Sequence, residues 1–579
     1  MSAQHVEDID KPGVVIEVNP LNKNMTDDSM AHEAQDFMDK FLDMSENAKD
    51  NDRKEKYMPL KEGLKTFPKA AMWSVILSTA LIMEGYDTNL LNSLYAFPDF
   101  AKKFGEYSES DGLYQIPAKW QTSLSMCVNV GEIIGLFIAG IIADRIGYRK
   151  TLIGALMLTT GFIFIVFFAV NVEMLLAGEL LLGLPWGAFQ TLTVSYASEV
   201  CPTTLRVYLT TYVNVCWVFG QLISSGILRG LVSSDIEDVY RIPFAVQWVW
   251  PIPIAIGIYL APESPWWLAR KNRIQEAKHS IKRLLTVNEH LPDKEILAEA
   301  MVQKIQMTLK EEALTNNGES FLDCFKGQDL RRTRIAAIVW VSQNLTGSSL
   351  MGYSTYFYQQ AGLGQNMSFT FSIIQYCFGI VGTLGSWLLS QKAGRFTIYF
   401  YGLCSLFCIL FVVGCLGINP TESSSWGVGS LLLVYTFVYD LTIGPLCYCI
   451  VAEIPSTKLR TKTIIIARNA YNIAGIVVAI ITPYMLNPTA WNWKAKTGFF
   501  WSGFAFFAAI WCWFDLPETK GKTFAELDQL FENKVKARQF KKTEVEVFNT
   551  DELIERLGED GIKDLVVTDA SKDEFSEKV

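Results

Sequence analysis

Twelve apolar stretches of about 20 residues constrain the fold of this chain more than any other feature of its sequence. Lipid offers the backbone no hydrogen-bond partners, so a stretch of this length is expected to cross a membrane as an α-helix. The chain is therefore predicted to be an all-α membrane protein. The stretches, called span 1 to span 12 below, cover residues 70–95, 120–142, 151–170, 174–197, 207–228, 244–260, 335–358, 368–389, 397–416, 429–452, 463–485 and 497–515.

Composition agrees with this prediction and excludes several function classes. Only 19% of the 579 residues are charged, below the ~25% of soluble domains, and the mean hydropathy is +0.20. The net charge of −9 resides mostly in the tails and does not favour nucleic acid. The eleven cysteines fall mainly in apolar runs without a Cys-x-x-Cys pair, so no disulfide framework, metal site or cofactor is expected.

Polar segments divide the chain into five parts. We expect an N-terminal tail (1–66), a six-span half (67–260), a helical linker (261–334), a second six-span half (335–516) and a C-terminal tail (517–579). Both tails are expected to be largely disordered, and the linker to contain helices at 274–285 and 296–313. No apolar leader precedes span 1, which is expected to direct insertion.

Lys and Arg residues predict the orientation. Short loops on the side of the tails contain nine, the linker adds thirteen, and the opposite loops contain seven. By the positive-inside rule, the linker and both termini are predicted to be cytoplasmic.

The two halves repeat one another. The motif at 143–151 is echoed at 392–397, that at 198–206 at 452–460, and that at 262–268 at 517–523, with offsets of 247, 254 and 255 residues. One nearly constant offset across three motifs indicates a duplicated six-helix unit, as in transporters with a site between two bundles.

These motifs resemble those of the sugar porter family of the major facilitator superfamily. Residues 83–88, 185–190, 194–202, 216–221 and 352–357 look most like the fungal α-glucoside (maltose) permeases. The resemblance implies a major facilitator fold of two six-helix bundles in which spans 2 and 11 face each other. It also implies import of maltose or related α-glucosides with H⁺ across the plasma membrane by alternating access, by a protein that is not an enzyme and is expected to be monomeric.

Five charged residues interrupt the apolar spans. They are Glu84 and Asp87 in span 1, Glu132 in span 2, Glu179 in span 4 and Arg468 in span 11. Charge within a bilayer costs ~3 kcal/mol or more, so each is a candidate for proton coupling. The alternative for Glu84 and Glu132 is a role in helix packing only.

The resemblance adds detail to these candidates. Asp87 occupies the position of the protonatable carboxylate in related proton-coupled porters, and Glu179 stands where many of them have an arginine partner. Arg468 is then the expected counter-charge, with Glu132 as its expected partner.

Polar residues inside the spans are candidates for sugar binding, because sugars need many hydroxyl partners. By resemblance, Gln221, Gln343 and Asn344 fall on sugar-contacting positions. Tyr448 replaces a common Trp and Asp440 a common Glu, while Ser349 and Gly379 replace Asn and are predicted to widen the cavity. Span 11 contributes Asn472. The alternative is that such residues only join neighbouring helices.

Charged motifs at the cytoplasmic ends of the spans predict a gate. Opposite charges there can hold the halves together in one state and separate in the other; simple positive-inside anchoring is the alternative. The predicted gate residues are Asp144, Arg145, Arg149, Glu199, Arg206, Glu263, Arg270, Arg395, Glu453 and Arg460.

Two other functions remain open on the same fold. A non-transporting sugar sensor would use the C-terminal tail for partners, and a passive uniporter would not need the intramembrane carboxylates.

Overall fold

The structure, a computed structural model, describes residues 58–108, 113–232, 234, 238–286, 294–315, 320–355, 358, 365–419, 421–456, 458–486, 491 and 493–545. The tail predictions for 1–57 and 546–579 lie outside the described residues.

The first half is a bundle of helices, most of them long. Span 1 comprises two consecutive helices and span 6 a short helix, a 3₁₀ turn and a further helix. The helices of spans 1 to 6 are Pro68–Ser78 with Ala80–Leu94, Ala118–Ile146, Tyr148–Phe167, Val172–Val200, Thr203–Leu231, and Arg241–Val246 with Pro251–Leu260. Between spans 1 and 2 lie a helix Pro98–Phe104 and an antiparallel pair of strands, Glu106–Ser108 and Leu113–Gln115.

The second half repeats this arrangement. Span 7 consists of Gly327–Gln343, a π-helical turn Asn344–Ser348 and Ser349–Gly352. The helices of spans 8 to 12 are Gln365–Lys392, Arg395–Leu416, Glu422–Leu441 with Ile443–Glu453, Arg460–Leu486 and Thr497–Asp515. Span 2 packs on span 11, as predicted, and span 5 packs on spans 8 and 10.

Among the described residues, ten helices are long and apolar enough to cross a membrane, and an eleventh is the bent pair Leu60–Thr66 with Pro68–Leu94. The predicted span 7 is interrupted where its polar cluster lies, because Gly347 takes a positive φ of 94° within the π-helical turn.

Large apolar side chains remain exposed on the outer surface of both bundles. Met157, Leu388, Phe507 and Phe514 are each at least 68% exposed. In a membrane protein such residues face the lipid, whereas spans 4, 5 and 10 are the most buried of the apolar helices described.

The linker and tail differ in part from the predictions. The expected linker helices are present as Ile274–Leu284 and Lys294–Thr315, joined by Lys278, which forms ion pairs with Glu295 and Glu299. A short helix, Pro265–Arg270, and a 3₁₀ turn, Phe321–Phe325, accompany them. The helix of span 7 begins at Gly327, so the expected boundary at 334/335 lies inside a helix.

The expectation of disorder is wrong for the parts of both tails that the structure describes. Residues Leu60–Thr66 form a helix before span 1. After span 12, helix Phe524–Glu532 begins with a capping box of Thr523 and Glu526 and buries Leu530 and Phe531. An ion pair between Arg332 and Asp528 ties this helix to span 7.

Candidate functional site

A network of polar side chains crosses the interface between the halves at Arg468. Its Nε donates to Gln190 Oε1 at 2.6 Å, and its Nη2 lies 3.7 Å from Glu84 Oε1. Gln190 Nε2 and Trp217 Nε1 donate to the same Glu84 oxygen at 2.7 and 3.1 Å. Arg468 belongs to the second half and its partners to the first, so this network must change when the halves separate.

The expected pairing of Arg468 with Glu132 differs from what the structure contains. Within the described residues, the carboxylate at ion-pair distance from Arg468 is Glu84. Glu132 lies in the same network, close enough to interact with the charge of Arg468 and to neighbour Gln190 and Asn472. Gln190, a residue that was not singled out from the sequence, bonds to Arg468 and is also a neighbour of Glu132.

Glu84 and Asp87 are both about 99% buried on one helix but have separate partners. Asp87 Oδ1 accepts a hydrogen bond from Gln247 Nε2 at 2.6 Å, and its Oδ2 accepts one from Trp186 Nε1 at 3.3 Å. Glu179 is the neighbouring carboxyl group. The five predicted charged residues therefore form two groups, one around Arg468 and one around Asp87.

Aromatic rings form a wall beside Arg468. Its guanidinium carbon lies 4.5 Å from the ring centroid of Trp340 and 4.1 Å from that of Tyr471. Tyr448, a predicted sugar contact, packs edge-on against Trp340 with centroids 4.9 Å apart. Such a wall can cover the apolar face of a sugar ring. Trp340 and Tyr471 were missed because aromatic residues in apolar spans are ordinarily core or lipid-facing.

Several predicted sugar contacts surround this wall. Gln343 Nε2 donates to the carbonyl of Gly444 at 3.0 Å, and Asn344 Nδ2 donates to that of Tyr471 at 2.8 Å. Both amides thus also fix the backbone of neighbouring spans, which was the alternative reading of these residues.

The spans that build this site also contain buried polar atoms without hydrogen-bond partners. Among the described residues these include both amide atoms of Asn469 and of Asn472, Ser349 Oγ and Glu84 Oε2. Asn472 is completely buried beside Glu132, but neither of its amide atoms reaches hydrogen-bond geometry. A buried polar group without a partner costs ~1–3 kcal/mol, so this cluster is suited to a polar ligand or water.

A second polar group surrounds Asp440 in span 10. Its Oδ1 accepts a hydrogen bond from Asn214 Nδ2 of span 5 at 2.9 Å, and the same nitrogen lies 3.1 Å from Thr383 Oγ1. A Cβ placed on Gly379 would lie 2.7 Å from Asp440 Oδ2 and 3.0 Å from Val218 Cγ1. The space expected to be open at Gly379 is therefore occupied by the Asp440 carboxyl group.

The remaining predicted contact, Gln221, is buried in span 5. Its backbone carbonyl accepts a hydrogen bond from Asn89 Nδ2 at 3.1 Å, and Asn89 Oδ1 accepts one from Tyr376 of span 8 at 2.7 Å. Asn89 and Tyr376 thus form a further contact between the halves. Within the described residues no group of three His, Cys, Asp or Glu side chains could hold a metal ion.

The face that bears the linker and the tails, here called the linker face, carries matching networks in the two halves. In the first half the buried Glu199 pairs with Arg270 at 2.9 Å and accepts hydrogen bonds from Ser264 and Tyr148. In the second half Glu453 pairs with Arg395 at 3.2 Å and accepts a hydrogen bond from Thr519 at 2.5 Å.

Glu263 and Glu518 have equivalent positions in these networks. Glu263 accepts the backbone N–H groups of Tyr148 and Arg149, and Glu518 accepts that of Arg395, so each caps the first turn of the third helix of its half. Burial by itself lowers the pKa of Arg270, but the adjacent Glu199 raises it overall, so Arg270 stays charged.

Three further contacts close the linker face between the halves. Tyr148 Oη lies 3.1 Å from Thr461 Oγ1, Arg460 Nη1 lies 4.0 Å from Glu199, and Lys462 Nζ lies 3.0 Å from Asp144. Lys462 and Thr461 were not singled out from the sequence, although they follow Arg460 directly.

One aromatic ring of the C-terminal tail stands between two gate arginines. The guanidinium carbons of Arg206 and Arg460 lie 3.5 and 3.7 Å from the ring centroid of Phe524. The two arginines occupy equivalent positions in the repeated halves. Phe524 thus joins the halves through two cation–π contacts.

Several predicted gate residues have, among the described residues, contacts only within their own half, as the ion pair of Arg395 with Glu453 and the hydrogen bonds of Glu263 show. Arg145 is exposed and has no ion pair among the described residues. Arg149 donates to the backbone carbonyls of Ile258 and Tyr259, which belong to its own half. Of the predicted gate residues, Asp144, Glu199, Arg206 and Arg460 take part in contacts that join the halves, whereas the contacts of Arg149 fit the alternative of anchoring within one half.

Comparison with known proteins places these observations in context. The profile of a family described as "Sugar (and other) transporter" matches residues 73–531. Maltose permease MAL61 of Saccharomyces cerevisiae is 48% identical over 519 residues, which is 89% of this chain and 84% of that protein. Alpha-glucosides permease MPH3 of the same species is 49% identical over 511 residues, covering 88% and 85% of the two chains.

Solved structures show the same fold at lower sequence identity. The major facilitator superfamily proton:xylose symporter XylE bound to 6-bromo-6-deoxy-D-glucose has a TM-score of 0.66 at 20% identity, covering 80% of this chain and 99% of its own. A partially occluded inward-open form of XylE from E. coli gives 0.61 at 19% identity, covering 79% and 99%. The fold is that of the major facilitator superfamily, as predicted.

Proposed function

Since the chain belongs to the sugar transporter family, we propose that it imports α-glucosides such as maltose together with H⁺ by alternating access. The proposed location is the plasma membrane, with the linker and both termini in the cytoplasm. We propose residues 67–260 and 335–516 as the two moving halves and a monomer as the working unit. The relatives named for maltose and α-glucosides support this substrate class.

The observation that carries the proposal is a set of incompletely bonded polar side chains in spans 7 and 11, together with the aromatic wall beside Arg468. Asn469, Asn472 and Ser349 offer buried amide and hydroxyl groups without protein partners. Trp340 and Tyr448 pack against each other and present aromatic surface next to Arg468. Sugar hydroxyls would bond to the first set and the apolar face of a ring would pack on the second.

The charge arrangement supports coupling to protons. The Glu84–Gln190–Arg468 network crosses between the halves, and only one oxygen of Glu84 is bonded within it. A proton on Glu84 or Glu132 would remove a negative charge next to Arg468 and weaken the attraction between the halves. Separating buried opposite charges without a proton costs several kcal/mol, so movement of the halves would favour the protonated state.

The contacts on the linker face support a closed inner gate in this conformation. Return of the site to the outside would require the pairs at Glu199 and Asp144 to form again with the second half. Import would require the same contacts, together with those of Phe524, to break.

We further propose that the position of Asp440 helps to select the sugar. With Gly at position 379, the Asp440 carboxyl group approaches span 8 and bonds to Asn214. In the double variant Ser349→Asn and Gly379→Asn, the side chain at position 379 would displace this carboxyl group and the larger side chain at position 349 would fill the space around it. Undiminished maltose uptake by the double variant would reject this assignment.

The test of the proposed function is uptake of labelled α-glucosides in a host without its own transporters. Maltose should accumulate against its gradient at low external pH, and an uncoupler should abolish the accumulation. Arg468→Gln should lose accumulation, whereas Arg241→Gln, whose ion pair with Asp238 is partly exposed, should behave like the unmodified protein.

The rival functions give different results in the same assay. A uniporter would equilibrate maltose without accumulation and without alkalinisation of the medium. A sensor would bind maltose without any uptake. Either result would refute proton-coupled import.

A further inference from the structure

Two carboxyl groups lie against each other between spans 1 and 4. Asp87 is 1% exposed and Glu179 is 0% exposed. Their side chains are neighbours in the interior of the first half, and the other carboxyl group close enough to interact with Asp87 is Glu132 of span 2. No Lys or Arg of the described residues forms an ion pair with either one.

The two carboxyl groups differ in their other partners. Asp87 accepts hydrogen bonds on both oxygens, from Gln247 Nε2 at 2.6 Å and from Trp186 Nε1 at 3.3 Å. Neither oxygen of Glu179 accepts a hydrogen bond from any donor of the described residues. The protein therefore stabilises a negative charge on Asp87 and not on Glu179.

This difference determines where a proton resides. Two acceptor-only carboxylates cannot hydrogen-bond to each other, but a protonated carboxyl group can donate to an ionised one. Two adjacent buried charges of the same sign would be strongly unfavourable, so the pair holds one proton. Because Asp87 already accepts two hydrogen bonds, the proton belongs on Glu179, which then donates to Asp87.

The other titratable groups near Glu179 do not alter this assignment. They are the Cys127 thiol of span 2 and the Tyr95 hydroxyl at the end of span 1. Both groups are ordinarily neutral at pH 7. Neither supplies a positive charge that would favour an ionised Glu179.

Resting on the proposed function, we propose that Glu179 carries a transported proton in addition to the proton site beside Arg468, and that Asp87 is the positioning residue that accepts the hydrogen bond of Glu179. The proton binds to Glu179 from water on the outer side and returns to water on the cytoplasmic side. Asp87 remains ionised in both states. Loss of the proton leaves two negative charges in contact and repels span 4 from span 1.

Span 4 connects this pair to the Arg468 network. The helix that bears Glu179 also bears Gln190, which bonds to both Glu84 and Arg468. Pro185 lies between the two positions and removes one backbone hydrogen bond, so the helix can bend there. A shift of span 4 on deprotonation would therefore move Gln190 relative to Arg468.

The substitution Glu179→Gln tests the assignment. Glutamine keeps the shape and an N–H donor for Asp87 but cannot release a proton. The variant should retain exchange of labelled for unlabelled maltose across vesicles, lose at least 10-fold in accumulation, and lose the pH dependence of uptake. Thr159→Val, which changes a buried residue bonded only to its own helix at Ala155, is the control and should retain all three properties.

Accumulation by Glu179→Gln at the level of the unmodified protein would overturn the inference, because a purely structural donor is preserved in that variant. If Asp87→Asn and Arg468→Gln lose accumulation in the same experiment, the proposed function still stands. If all three variants accumulate maltose, the proposed function itself fails.

An infrared measurement decides the question even for a variant that does not transport. The purified protein should show the C=O stretching band of a protonated, buried carboxylic acid at neutral pH. The difference spectrum should show loss of that band in Glu179→Gln and its retention in the control variant. An unchanged band in Glu179→Gln would overturn the inference.

Discussion

Phe524 is predicted to hold the linker face closed through its position between Arg206 and Arg460. The ring is 7% exposed and has one guanidinium group 3.5 Å from its centroid and another at 3.7 Å. Each cation–π contact contributes about 0.5–2 kcal/mol. Since the two arginines come from different halves, at least one contact must be lost when the halves separate at this face.

The substitution Phe524→Leu keeps apolar bulk and removes the aromatic ring. A loss of about 2 kcal/mol from the closed state would raise the ratio of open to closed molecules about 30-fold. The buried Cys201 lines the same pocket as Phe524 and provides a native reporter. A membrane-impermeant thiol reagent added to inside-out vesicles should alkylate Cys201 faster in the variant by a similar factor, because the reagent reaches this thiol only in the open form. Peptide mass analysis measures the rate at Cys201 separately from the other cysteines.

Phe531→Leu is the matched control for this experiment. Phe531 lies on the same tail helix and contacts Arg331 and Arg332, both of which belong to span 7 in the second half. Its loss should loosen the tail without changing the contact between halves. Equal alkylation rates for Phe524→Leu and the unmodified protein would refute the reasoning, as would equal acceleration in both variants.

Three further predictions concern packing and charge. Gly379→Ala should lower the free energy of unfolding by about 1–3 kcal/mol and reduce maltose uptake, because the added Cβ would lie 2.7 Å from Asp440 Oδ2. The control Gly503→Ala, which has open space around it, should leave the melting temperature unchanged. Arg270→Met should destabilise the protein by about 3–5 kcal/mol, because the buried Glu199 loses the partner that lies 2.9 Å away. The control Arg145→Ala, at an exposed position, should change stability by less than about 0.5 kcal/mol. Similar melting temperatures for the two variants would contradict the role of Arg270. Asp144→Lys should lower the free energy of unfolding by less than about 1 kcal/mol, because its ion pair with Lys462 is partly exposed. Adding Lys462→Asp should restore the stability, and high salt should remove the difference between the variants. A defect that does not depend on salt would argue against a surface ion pair.

The arrangement of spans could be predicted from the sequence because it depends on local properties. Apolar length, charge in loops and the repeated motifs each act over tens of residues, and together they predicted two six-span halves. The contact of span 2 with span 11 was predicted from the resemblance to the sugar porter family. The tail was mispredicted because Phe524, Leu530 and Phe531 are few among many charged residues. Their burial depends on surfaces of distant helices that composition does not reveal.

The partners within the site could be predicted only in part. Five charged residues in apolar spans stood out because burying a charge in the bilayer has a high free-energy cost. Which of these residues pair depends on helix rotation and on the reach of long side chains. Glu84 and Asp87 are three residues apart, yet one meets span 11 and the other meets Gln247 at the start of span 6. Neutral residues such as Gln190, Asn214 and Trp340 place no charge in the bilayer, so nothing in the sequence singled them out and they were missed.

The internal repeat explains why the gate differs between the halves. Tyr148 and Arg395 are each the first residue of a helix that follows a glycine, and their backbone N–H groups donate to Glu263 and Glu518, respectively. They therefore occupy the same structural position in the two halves. Arg395 neutralises Glu453 directly, whereas Tyr148 can only share a hydrogen bond with Glu199. The missing charge is supplied by Arg270 from the linker. The linker helix Pro265–Arg270 therefore supplies the nearer of the two positive charges beside Glu199, the other being Arg460 of the second half, and movement of the linker would affect Glu199 before it affects Glu453.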